Sequence, residues 1–125
     1  MSDRNDQAIE SVDQLLGALE AAIMRRLWIR GQATVREVLA DLSADRRVLA
    51  YTTVMTVMSR LDSKGLLTRE LVGKTYVYRP AFSEQELLRR IAAQQVRHVL
   101  AAFGDLAITQ FLSEFDRLSP ERRQL

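Results

Sequence analysis

The chain has 125 residues, which suffices for one compact domain and a short additional element but not for two ordinary domains. Nearly half of it is apolar, so a core is expected, and the absence of cysteine removes structural disulfides and thiolate metal sites. Net charge is only +2, yet it is unevenly spread: residues 1–13 hold one Arg against four acids, 14–82 hold eleven Lys and Arg against six acids, and 83–125 balance six against six. Apolar stretches are broken by Arg or Asp well before 18 residues, so neither a membrane span nor a secretory signal is expected, and a cytoplasmic protein is the default.

These shifts predict an N-terminal tail over 1–13, a basic domain over 14–82 and a further region over 83–125. From Gln14, Leu15, Leu16, Leu19, Ala22, Ile23 and Leu27 follow helical spacing, with Arg25, Arg26 and Arg30 on the other side and Gly31 as the stop. Trp28 near the helix end reads as a packing anchor rather than a binding residue. Thr34-Val35-Arg36-Glu37 is a capping box opening a short second helix with Val35, Val38, Leu39 and Leu42 inward. Ser43 to Leu49 is a polar connection carrying Arg46 and Arg47, two cations that in a helix-turn-helix would lie near a DNA backbone.

Ala50 to Gly65 is the third helix, with Val54, Val57, Met58 and Leu61 on the face that packs inward. Its other face presents Thr52, Met55, Thr56, Ser59 and Arg60, small hydroxyls and a thioether with one long cation. Thr and Met can touch a thymine methyl, hydroxyls can bond base edges or phosphates, and Arg can reach guanine or phosphate. Tyr51 and Thr53 join this set at the helix start, where Thr53 is expected on a phosphate through its hydroxyl or the backbone.

Two β-prone runs around Gly73-Lys74 then read as a hairpin closed by Pro80. The expected fold is therefore mainly α with a small β-hairpin, a winged helix-turn-helix followed by C-terminal helices. Lys74 at the wing tip and Arg69 are expected on phosphates, and Tyr76 and Tyr78 are expected to pack. Ser83 to Glu86 is a second capping box; its helix runs to about Phe103, and another follows from about Asp105 to Leu118, before a polar end at Pro120 expected to fray. The apolar positions Leu88, Ile91, Val99, Phe103, Ile108, Phe111, Leu112 and Phe115 are too many for solvated helices and too few for a separate core, so pairing with a second copy is expected, with folding back on the same chain as the alternative. His98 is isolated, there are no paired carboxylates in an apolar setting and no glycine-rich phosphate loop, so no metal, cofactor, small-molecule substrate or enzymatic activity is expected.

LEAAIMRRLW at 19–28, TVREVL at 34–39 and AYTTVMTVMSRLDSKGLLTRE at 50–70 together make the chain, from about Leu16 to Leu118, resemble the penicillinase-repressor (BlaI/MecI-type) family of winged-helix regulators. The resemblance implies a homodimeric repressor whose two winged helices sit on the halves of a palindromic operator of β-lactamase or related resistance genes, dimerised through C-terminal helices. It also implies a membrane sensor protease as partner, cutting in the C-terminal part. Two features depart from the family. The matching bond here is Ala102-Phe103 rather than Asn-Phe, and the cysteines by which copper-responsive relatives sense metal are missing. The rival reading is a winged helix used for protein interaction, which predicts no salt-dependent DNA binding.

Overall fold

The computed structural model describes residues 16–45, 48–118 and 120–123. In chain order the elements are α1 (Ala18–Arg30), α2 (Val35–Ala44), α3 (Tyr51–Ser63), β1 (Leu67–Val72), β2 (Thr75–Pro80), α4 (Glu84–Phe103), α5 (Asp105–Asp116) and the single turn α6 (Pro120–Arg123). The chain divides into two compact units, one through Leu88 and one from Arg89 onward, with α4 running through the division. The first turn of α4, with Leu87 buried, thus falls within the first unit, beyond the boundary expected at 82.

The first unit is three helices and a hairpin around one core. Ile23, Met24 and Leu27 from α1, Val38 and Leu42 from α2, Val54, Met58 and Leu61 from α3, and Leu67 and Tyr78 from the hairpin are all removed from solvent. On each helix these residues recur at 3 and 4 positions, so one stripe per helix faces inward. Both halves of the Thr34 capping box are present: the Glu37 amide donates to the Thr34 hydroxyl at 3.2 Å and the Thr34 amide to the Glu37 carboxylate at 2.9 Å. The Arg30 guanidinium forks onto Asp41 at 2.6 and 2.9 Å and ties α1 to α2.

α3 ends in a Schellman turn, in which Leu66 N–H donates to Leu61 O at 2.9 Å and Gly65 N–H to Asp62 O at 3.0 Å. Gly65 takes φ 80°, open to glycine at little cost, and the chain leaves directly into β1. β1 and β2 pair antiparallel with Leu67 opposite Pro80 and Val72 opposite Thr75 across the Gly73-Lys74 turn. Ala33, between α1 and α2, adds a single bridge to the hairpin: it donates to Tyr78 O at 3.0 Å and accepts from Tyr78 N–H at 2.8 Å. The Trp28 indole donates to Phe82 O at 2.9 Å, anchoring the end of α1 to the segment that enters α4. This is a winged helix.

Three expectations are corrected. The first helix does not run unbroken from Gln14: Gly17, at φ 83° and ψ 156°, interrupts it and α1 starts at Ala18, while Gln14 and Leu15 lie outside the described residues. Tyr78 packs as expected, but Tyr76, two residues further out along the wing, is 42% exposed against 2% for Tyr78. The segment after Pro120 does not simply fray, since Pro120 opens a helical turn, a position where its missing N–H costs nothing.

In the second unit α5 leads from the C-terminus of α4 through Gly104, as the spacing predicted. Within the first unit, the Ser83 hydroxyl caps the start of α4 by accepting from Glu86 N–H at 3.1 Å. On α5 only Ala107 is buried, and the large apolar side chains are exposed, Leu112 the most at 63%.

Candidate nucleic-acid interface

α3 buries Val54, Met58 and Leu61 and leaves Tyr51, Thr52, Thr53, Met55, Thr56 and Arg60 exposed. All six residues singled out on this helix therefore lie outside the core. Thr52, Thr56, Ser59 and Ser63 follow one another at helical spacing down the middle of that face. With a rise of ~1.5 Å per residue, Thr52 to Arg60 spans about 12 Å, comparable to the width of a B-form major groove.

Two clefts separate this helix from the wing. One, of about 290 Å³, is lined by Thr34, Arg36, Tyr51, Met55, Lys74 and Tyr76. The other, of about 360 Å³, is lined by Met55, Thr56, Ser59, Arg60, Arg69 and Tyr76. Met55 divides them.

The cations fall into two groups. Arg26 pairs with Asp45, Arg30 with Asp41 and Glu37, and Lys64 with Glu20, all on surfaces joining the helices to one another. Arg36, Arg60 and Lys74, which line the clefts, have no carboxylate partner among the described residues. The Arg36 guanidinium instead lies 5.4 Å from the centre of the Tyr51 ring. Positive charge is thus compensated where it ties helices together and left open at Arg36, Arg60 and Lys74 around α3 and the wing, the condition for attracting a polyanion.

Arg69, expected on phosphates, has its guanidinium engaged within the protein. It lies 4.3 Å from the Tyr76 ring centre, directs Nε toward Asp62 at 3.5 Å and Nη1 toward the Tyr78 hydroxyl at 3.5 Å. At Thr53 the amide already donates to Ala50 O at 3.1 Å, which leaves the hydroxyl as its route to a phosphate. Arg46 and Arg47 lie outside the described residues. Two residues of the clefts escaped the sequence reading: Arg36, whose signal was its position just inside the capping box, and Tyr76, which had been assigned to packing.

Of the residues expected to dimerise, Ile91 and Val99 are half-buried, and Phe103, Ile108, Phe111, Leu112 and Phe115 are exposed. Leu88, also half-buried, closes the first unit. Val99, Phe103, Leu106, Ala107 and Phe111 line one apolar groove of about 330 Å³. Ala102 and Phe103 sit exposed in the last turn of α4. Among the described residues no cluster of His, Cys, Asp or Glu could hold a metal ion, and no helix is long and apolar enough to cross a membrane.

Comparison with known proteins adds three findings. The family model described as penicillinase repressor matches residues 16–124. Two curated relatives, both named transcriptional regulator BlaI, from Mycobacterium tuberculosis strains CDC 1551 and H37Rv, are 47% identical over 74 residues, covering 58% of this chain and 53% of theirs. The chain thus spans about half the length of the curated relatives it matches. Among solved structures, the archaeal chromatin protein TrmBL2, described as having a novel mode of DNA binding, superposes with a TM-score of 0.53 at 21% identity, over 94% of this chain and 45% of that one. At that identity the likeness speaks for the fold alone.

Proposed function

The chain belongs to the penicillinase-repressor family, a family of transcriptional regulators and not of enzymes, and we propose on that premise that it is a sequence-specific DNA-binding repressor acting as a homodimer on a palindromic operator. One observation carries the reading: the exposed face of α3, rich in hydroxyls and carrying Met55, is flanked by Arg36, Arg60 and Lys74, cations that no carboxylate among the described residues compensates. Thr52, Met55, Thr56 and Arg60 read base edges in the major groove, with Tyr51 beside them at the helix start. Lys74 at the wing tip, Arg36 at the start of α2 and the Thr53 hydroxyl hold phosphates, joined by Arg46 and Arg47 in the connection before α3.

Dimerisation rests on the second unit. A twelve-residue helix with Leu106, Ile108, Phe111, Leu112 and Phe115 exposed is stable in water only when another surface covers it, and a second copy is the partner that also matches a palindrome. The regulated genes are β-lactamase or related resistance genes, as the family's description suggests, and the protein works in the cytoplasm, where its DNA is. Relief by a membrane sensor protease would fall at Ala102-Phe103; the bond is exposed but helical, so cutting it requires that the last turn of α4 unwind.

The test is binding of the purified protein to the duplex upstream of its own gene and to a scrambled duplex, at two salt concentrations. Tighter binding to the upstream duplex, weakening as salt rises, is expected. No binding, or equal binding to both, would overturn the reading and favour a winged helix that docks on protein.

A further inference from the structure

The outer half of the wing has no hold on the core. Tyr78 and Leu67 fix its root, whereas Leu71, Val72, Gly73, Lys74 and Tyr76 are all exposed. A two-stranded ribbon is marginally stable by itself, so the direction in which its tip points needs another restraint. Alternation places Arg69, Leu71, Tyr76 and Tyr78 on one face of the hairpin, the face turned toward α3. Along that face Arg69 is the side chain that reaches across: Nε approaches Asp62 on the last turn of α3, Nη1 approaches the Tyr78 hydroxyl, and the flat of the guanidinium covers Tyr76.

Resting on the reading of this surface as a DNA interface, we propose that Arg69 is a positioning residue that locks the wing to the recognition helix, rather than a phosphate ligand. The planar guanidinium suits this role because it can stack by its face while its edge donates to Tyr78 and sets its charge against Asp62; a lysine ammonium can stack but has no fork to divide between Asp62 and Tyr78. A phosphate would have to displace those contacts before it could use the same donors. The consequence lies at Lys74. Its charge reaches a given phosphate only while the wing keeps its angle to α3, so Lys74 depends on a residue it does not touch.

Two measurements on the full chain separate this from its rivals. Hydrogen exchange without DNA should show the amides from Glu70 to Tyr76 exchanging severalfold faster in Arg69→Ala and in Tyr76→Leu, with core amides unchanged and Tyr76→Phe, which keeps the ring, like the wild type. Binding to the upstream duplex should then show that Lys74→Ala, which alone lowers the steepness of the salt dependence by about 1.8 in log–log slope, about 0.9 for each of the dimer's two wings, loses most of its effect in the Arg69→Ala background. Arg69→Lys should not restore it. Unchanged wing exchange would overturn the lock, and so would a Lys74→Ala effect of the same size in both backgrounds, the additive result expected if Arg69 held a phosphate of its own. If the wild type binds neither duplex the DNA reading fails, while the exchange experiment still decides whether Arg69 holds the wing.

Discussion

Arg60 and Lys74 both carry a charge that no carboxylate among the described residues compensates, but they project from different elements, a rigid helix and a hairpin turn. Base contacts specify and phosphate contacts position, so the two should fail differently. Arg60→Ala and Thr52→Ala are each expected to cost about 1–3 kcal/mol on the operator and little on scrambled DNA, whereas Lys74→Ala should weaken both duplexes alike; titration of each variant against both duplexes checks this. Residues of α3 were legible from the chain because helical spacing assigns each one a face. Arg69 was not, because spacing states that a cation is present but not that Asp62, Tyr76 and Tyr78 converge on it from two elements. A second residue-scale expectation concerns pH. The hydrogen bond from Arg30 holds the Asp41 carboxyl below the usual carboxylate range. A depressed folded value means stabilisation that is complete above the ordinary aspartate value of about 3.9 and lost as pH falls below it. Wild type should therefore melt higher than Asp41→Asn at pH 7, and the gap should close in acid.

Among the elements, the second helix, α3 and the hairpin are legible from their local residues. The capping box at Thr34 is set by four consecutive residues, and Thr34→Ala should cost about 1 kcal/mol in chemical unfolding because the Glu37 amide loses its acceptor, while the amide of residue 34 keeps the Glu37 carboxylate. Leu61, fully out of solvent where α3 meets the core, should cost about 2–5 kcal/mol as Leu61→Ala in the same measurement. Two of the features missed depend on distant chain. The Ala33 bridge is one residue long and leaves no alternation to detect; it exists because Tyr78 arrives beside it. Tyr76 and Tyr78 share a face, which alternation reveals, but how far the core reaches along the hairpin is decided by the helices beneath, and it stops between them. Gly17 lay inside an apolar pattern that continues on both sides, so periodicity carried the helix across a residue whose backbone turns it aside.

At the scale of the whole molecule, the chain gives one unit a complete core and leaves the other with its apolar side chains facing out. Composition alone pointed to a second copy as the cover, since the residues after 83 are too apolar for solvent and too few to close on themselves. Leu112→Asp, which puts a charge on the most exposed of these positions along α5, is expected to give a monomer by sedimentation with the winged helix still folded and operator binding weakened. The most direct test is to footprint the wild-type protein on the DNA upstream of its own gene, beside Arg60→Ala. Two protected half-sites related by two-fold symmetry, spaced by whole helical turns and lost with Arg60→Ala, are expected of a dimer reading sequence with α3. Uniform protection, or a wild-type footprint that Arg60→Ala leaves intact, would contradict that reading.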